Sequence, residues 1–250
     1  IDLGAGVITD AFNLAESEPE TRLVSSLVTE YYVDIVVSND FDGPSKDAPL
    51  EQRIRALRGK KIGITGPGSG TEALVTHLFG TVKMNAKRDA TLVNLGSAAT
   101  SAIGALDNGR VDALSFFQPI GQQVEAARKG SIYISPADGD VPTLRGALHG
   151  VVFSTKELLD KKKKEVEGFQ RAINRALTDI HGSPEEVQKL LGKYLKGTDP
   201  KALKRLVPIL DSEVPPAPEI DPRAFATARA FHLDSGLVKH APEYVDLRYN

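Results

Sequence analysis

One stretch constrains this chain more than any other: Lys60 to Phe79, KKIGITGPGSGTEALVTHLF. Two lysines lead into a short apolar run, Ile62 to Thr65, which closes on the glycine-rich turn Gly66-Pro67-Gly68-Ser69-Gly70. From Thr71 onward Leu74, Val75, Leu78 and Phe79 recur at helical spacing. The pattern predicts a strand, a tight turn and the start of a helix. Such a turn presents orphan backbone N–H groups and the positive end of a helix dipole, a ready site for an anion. Ser69 and Thr71 add hydroxyls that either donate to a ligand or cap the helix. The spacing does not match known phosphate loops. No Gly-Lys-Ser/Thr follows, and the glycines at 66, 68 and 70 miss the dinucleotide spacing. A ligand cradle and a self-satisfied structural turn both remain open on this spacing.

The flanking sequence alternates strand and helix. Thr91 to Leu95 reads as a strand, Ala98 to Asn108 as a small-residue helix and Val111 to Phe117 as a strand. Gly121 to Lys129 reads as a helix and Ile132 to Ile134 as a short strand. Alternation of this kind implies parallel strands with right-handed crossovers. Ligands then sit beyond the carboxyl ends of the strands, so the turns at 66–71, 96–97 and 117–119 are expected on one rim.

Upstream, Tyr32 to Val37 is a β-branched run that reads as a buried strand, with Ser25 and Ser26 at the end of an earlier one. Leu50 to Leu57 reads as a short helix with Ile54 and Leu57 inward. Downstream, Ala147 to Ser154 reads as a strand, and Ser154 with Glu157 has capping-box spacing. Leu158, Leu159, Val166, Phe169, Ile173, Leu177 and Ile180 then continue at helical spacing. Lys161 to Lys164 is a charge run, read as a solvated helix face. A second capping box, Ser183 to Glu186, opens two helices split near Gly197; a further helix spans about 222–235.

Composition narrows the function classes. With 41% hydrophobic and 26% charged residues over 250 positions, a packed core is expected. A net charge of −2 gives no global argument for nucleic acid. There is no cysteine, so no disulfide, thiolate metal site or cysteine nucleophile exists. The five histidines form no ligand cluster, and no G-x-S-x-G elbow or carboxylate motif is visible. No cofactor, metal or catalytic residue is therefore assigned.

Three blocks in order carry a resemblance: LRGKKIGITGPGSGTEALV, TLVNLGSAATSAIGALDNGRVDALSFFQP and GVVFSTKELLDKKKKEVEGFQRAINRAL. Together with the tail FHLDSGLVKHAPEYVDLRYN, the chain resembles the substrate-binding proteins of ABC importers for nitrate, sulfonates, taurine and thiamine-pyrimidine precursors, the NMT1-like group. The resemblance implies an α/β fold of the periplasmic binding protein type 2 kind, two lobes with crossover strands and a ligand cleft. On that reading residues 1–38 plus 150–250 form one lobe and 61–135 the other, with 39–60 and 136–149 as connectors. Tyr32 to Ser38 is then one crossover and Gly150 to Ser154 the return. No leader pattern is visible at Ile1, and Ile1 to Gly4 matches the segment that follows the family's opening strand–helix–strand–helix unit. Apolar surface around Val7, Leu23 and Val24 is accordingly expected to be exposed or covered by a partner.

The resemblance implies capture of a small anionic or heteroaromatic solute without chemistry. The implied partners are that solute and an ABC permease, in a periplasmic or other extracytoplasmic location; membrane association would run through the permease or a lipid anchor. The ligand-binding candidates are Gly68, Ser69, Gly70 and Thr71 in the turn, Phe117 for stacking and Gln118 for donation. Ser25 and Ser26 are candidates from the other lobe, and His149 is one beside the return strand. Each has a plain structural alternative as a cap, core or strand-end residue. Two other functions stay open, a pyrimidine-synthesising enzyme of the same fold family and a ligand-sensing domain.

Overall fold

The computed structural model describes residues 2–249, apart from the side chain of Ala202. In chain order the elements are β1 (Gly4–Val7), α1 (Ile8–Ser17), β2 (Thr21–Val28), β3 (Val33–Ser38), α2 (Leu50–Ala56), β4 (Lys61–Ile64), α3 (Gly70–Thr81), α4 (Ala86–Asp89), β5 (Thr91–Asn94), α5 (Ala99–Asp107), β6 (Ala113–Phe117), α6 (Ile120–Ala126) and β7 (Gly130–Ile134). They continue with β8 (Gly150–Thr155), α7 (Lys156–Lys161), α8 (Lys163–Gly182), α9 (Pro184–Tyr194), α10 (Pro200–Glu213), α11 (Pro222–Asp234) and α12 (Tyr244–Leu247). The chain divides into two compact units. Unit one gathers the residues up to Tyr31, Thr143–Lys196 and those from Val207 onward; unit two holds Tyr32–Pro142 and Gly197–Leu206.

Unit one is built on a three-stranded sheet in the order β1-β8-β2, both pairings antiparallel. Side chains alternate across it as the pleat requires. Leu23 and Val151 enter a core with Ile8, Phe12, Leu148 and Phe225, while Val24 and Val152 face Leu159 and Val166. Leu23 and Val24 are thus buried by the chain itself, which corrects the expectation that they lie exposed or covered by a partner, while Val7 is half-buried. Ser25 and Ser26 are also corrected. They lie within β2, opposite Val152 and Val151, between two register shifts, and not at a strand end. Ser154 caps no helix. Its hydroxyl donates to the Asp2 carbonyl, and Thr155 precedes α7 without a side-chain cap. The long helical stretch expected after it is broken at Lys162.

Unit two has a five-stranded sheet in the order β5-β4-β6-β3-β7. β4 runs parallel to β5 and β6, whereas β3 is antiparallel to both β6 and β7. The sheet is mostly parallel, with one reversed strand inserted. That strand is Val33–Ser38, the run expected in the lobe of residues 1–38. Its hydrogen bonds to β6 and β7 put the boundary between Tyr31 and Tyr32 instead, and the return falls between Pro142 and Thr143, ahead of β8. Val36, Leu114, Phe116, Ile120 and Val124 pack with Ala102 and Leu106 of α5. At Gly130 a Cβ would lie 2.1 Å from the Val37 carbonyl oxygen, so only glycine allows β7 to pair there.

Residues 39–60, expected to be a connector, are integrated into unit two. Ile54 and Leu57 are buried, as their spacing predicts. Arg53 of α2 is buried as well; its guanidinium donates to the Tyr133 carbonyl and to Asp140 Oδ1, both at 2.7 Å. This ties α2 to β7 and the loop after it.

Candidate functional site

The parallel register aligns the ends of β5, β4 and β6. Ile64 pairs with Asn94, and Gly63 with Leu114. The turns after these strands, beginning at Thr65, Leu95 and Gln118, therefore leave the sheet at one edge, as expected. Val33 pairs with Phe117, so the antiparallel β3 starts at this edge too, and the Gln118 N–H donates to the Tyr32 carbonyl at 3.0 Å.

The glycine-rich turn is tightly bonded internally. Ser69 is the N-cap of α3; its hydroxyl accepts the Glu72 N–H at 3.4 Å and donates to the Gly66 carbonyl at 2.6 Å. Thr71 is buried, and its hydroxyl accepts the Thr65 N–H at 2.9 Å. The same oxygen lies 2.9 Å from the Thr65 hydroxyl and 2.7 Å from that of Ser69. The Thr71 carbonyl accepts from Ser115 of β6 at 2.7 Å, anchoring the turn to the sheet. Gly68 takes φ +76°, where glycine is favoured, and its N–H donates to Glu72 Oε2 at 2.6 Å. The turn therefore holds a carboxylate of its own chain, from the first turn of α3.

Phe117 is half-buried at the end of β6, its ring 6.0 Å from that of Phe116. Gln118 is half-buried beside it. Two further polar groups in this unit escaped the sequence reading. Asp34 of β3 is fully buried, and neither carboxyl oxygen has a partner in hydrogen-bonding geometry among the described residues. Burial pushes it up to about 7; nearby Ser135 opposes the shift, and the charges of Asp138, Glu125 and Asp140 add to it. Gln122 of α6 is buried with its Oε1 likewise unpartnered. The only trace of Asp34 in the sequence is a carboxylate inside an otherwise β-branched run.

The remaining candidates lie in unit one. Ser25 and Ser26 are fully buried, and their hydroxyls have no hydrogen-bond partner among the described residues. His149 directly precedes β8; its N–H donates to the Val28 carbonyl at 2.9 Å and its carbonyl accepts from Ile8 at 2.8 Å. Its ring meets Tyr31 edge-on at 4.6 Å, and burial lowers it to about 3, with His232 adding to the shift. At neutral pH this imidazole is uncharged. Among the described residues no group of three His, Asp or Glu side chains could hold a metal ion.

Solved structures of similar shape define the class. The periplasmic aliphatic sulphonate binding protein SsuA of Escherichia coli superposes with a TM-score of 0.75 at 17% identity, covering 100% of this chain and 80% of its own. A putative sulfonate ABC transporter's periplasmic sulfonate-binding protein from Methylobacillus flagellatus KT gives 0.75 at 19% identity, covering 100% and 72%. The desulfurization enzyme DSZB gives 0.70 at 15% identity, covering 98% and 82%. At these identities the likeness is one of fold, and the fold is that of periplasmic binding proteins, which an enzyme shares. Residues 45–187, more than half of the chain, match the NMT1/THI5-like family, and the chain belongs to it. A comparison with curated proteins finds no match.

Proposed function

We propose that this chain is the solute-binding component of an ABC importer, taking a small anionic or heteroaromatic solute at the rim of unit two. The observation that carries the reading is the bond from the Gly68 N–H to the Glu72 carboxylate, which supports a turn able to hold an oxyanion. A sulfonate, nitrate or carboxylate of the solute would take the place of Glu72. Gln118 would donate its amide to the bound group, and Phe117 would offer a ring face to a heteroaromatic body. Membership of the NMT1/THI5-like family and the fold shared with sulfonate-binding proteins support the same reading. The proposal includes a permease as partner and an extracytoplasmic location. No helix among the described residues is long and apolar enough to cross a membrane.

Calorimetry against alkanesulfonates, taurine, nitrate, aromatic carboxylates and pyrimidines tests it. One class should bind saturably at one site, without turnover, and more weakly after Gln118→Ala. A panel without saturable binding, or a bound compound converted to product, overturns the reading. The second outcome would favour the enzymatic alternative, which the fold shared with DSZB supports.

A further inference from the structure

We propose that unit one carries a separate site for a small phosphate-type oxyanion, at the start of β2. A concavity of about 380 Å³ opens there, lined by Arg22, Lys156, Asp160, Lys163, Arg248 and Tyr249. Its walls are fixed by backbone contacts. The Lys156 N–H at the start of α7 donates to the Glu20 carbonyl at 2.8 Å. Arg248 is joined to Leu23 by a parallel bridge, so it sits against the same strand that carries Arg22. Lys163 opens α8.

The charge inside this concavity is unbalanced. Arg22 is held in place by donating Nη1 to the Pro19 and Thr21 carbonyls, at 3.0 and 2.8 Å, and its side chain is only 18% exposed. Its Nη2 lies 3.8 Å from the exposed Glu20. Asp160 already accepts from Lys156 on Oδ2 and from the Tyr249 hydroxyl on Oδ1. Lys163 and Arg248 form no ion pair among the described residues. Four cations thus line the recess with one carboxylate, Asp160, and Glu20 stands outside it beside Arg22; counting both carboxylates, the excess of two positive charges matches a dianion. A recess concentrates that potential more than an open face would, and guanidinium groups suit tetrahedral oxyanions. The volume lies at the low end for ligand pockets and admits a phosphate-sized group. The site does not depend on the glycine-rich turn or on the solute proposed for it.

Inorganic phosphate and pyrophosphate, titrated calorimetrically into the full chain at about 150 mM NaCl, test the proposal against screened surface attraction. Saturable one-to-one binding is expected. It should weaken about tenfold or more in Arg248→Gln and in Lys163→Gln, two exposed positions, and stay unchanged in Gln118→Ala. Co-sedimentation with vesicles containing phosphatidic acid separates the sources. Retention that Arg248→Gln abolishes assigns the phosphate to a lipid headgroup; binding of the free anions alone assigns a soluble one. Absence of saturation with phosphate, pyrophosphate and vesicles up to about 10 mM, or equal affinity in the parent and both variants, overturns the proposal.

Discussion

The Glu72 carboxylate accepts the Gly68 N–H at 2.6 Å, so α3 returns its own negative charge to the turn that precedes it. Any anionic ligand of this turn competes with that carboxylate. Glu72→Gln keeps a hydrogen-bonding oxygen but removes the charge. Affinity for the anionic solute found by the panel should rise roughly three- to tenfold, the scale of one charge-assisted bond. Calorimetry on both proteins measures it. Lower or equal affinity in the variant would mean that Glu72 does not compete at the site.

Thr71 is a structural anchor in this geometry, with one hydroxyl serving Thr65 and Ser69 together. Thr71→Val keeps the volume and leaves the half-buried Thr65 N–H without its acceptor. A loss of about 1–3 kcal/mol in unfolding free energy is expected by urea denaturation. An unchanged midpoint would show that the turn rebonds without this hydroxyl.

Asp34 and His149 pull stability in opposite directions with pH. The folded-state value of Asp34 is raised from 3.8 to about 7, so its contribution is full below pH 3.8 and is lost as pH climbs toward 7. That of His149 is lowered from 6.5 to about 3, so its contribution is full above pH 6.5 and is lost as pH falls toward 3. In the parent the two trends offset each other. Asp34→Asn removes one of them, worth of order 4 kcal/mol for about three pKa units. Its melting temperature should rise from pH 4 to 7 more steeply than the parent's. Parallel melting profiles of parent and variant would contradict this account.

Arg53 is buried, with its two bonds reaching Tyr133 and the partly exposed Asp140. Arg53→Met fills similar space but takes the guanidinium from the Tyr133 carbonyl and from Asp140 Oδ1, leaving Asp140 only the Ser135 N–H on Oδ2. About 2–4 kcal/mol of stability should be lost, below the figure for a wholly buried pair because Asp140 meets solvent. Chemical denaturation at neutral pH reads this, and the parent's midpoint in the variant would refute it.

The strand, turn and helix of residues 60–79 were legible because their bonds are short in sequence. Ser69 reaches Gly66 and Glu72, and Thr71 reaches Thr65, all within six residues. Residue type and spacing specify such contacts directly. The alternation that predicted a mostly parallel sheet is local in the same way, as is the inward pair Ile54 and Leu57. What the sequence left open depends on partners distant along the chain. β3 belongs with β6 and β7 through pairings 76 to 99 residues apart, from Val37↔Ala113 to Ile35↔Ile134, and an apolar run does not name its neighbours. Ser154 has the spacing of a cap, yet Asp2, brought alongside by β1, takes its hydroxyl. The basic recess joins Arg22, Lys163 and Arg248 only once β2, α8 and the last segment have packed, because charge accumulates by proximity in space while the sequence spreads those residues across the whole chain.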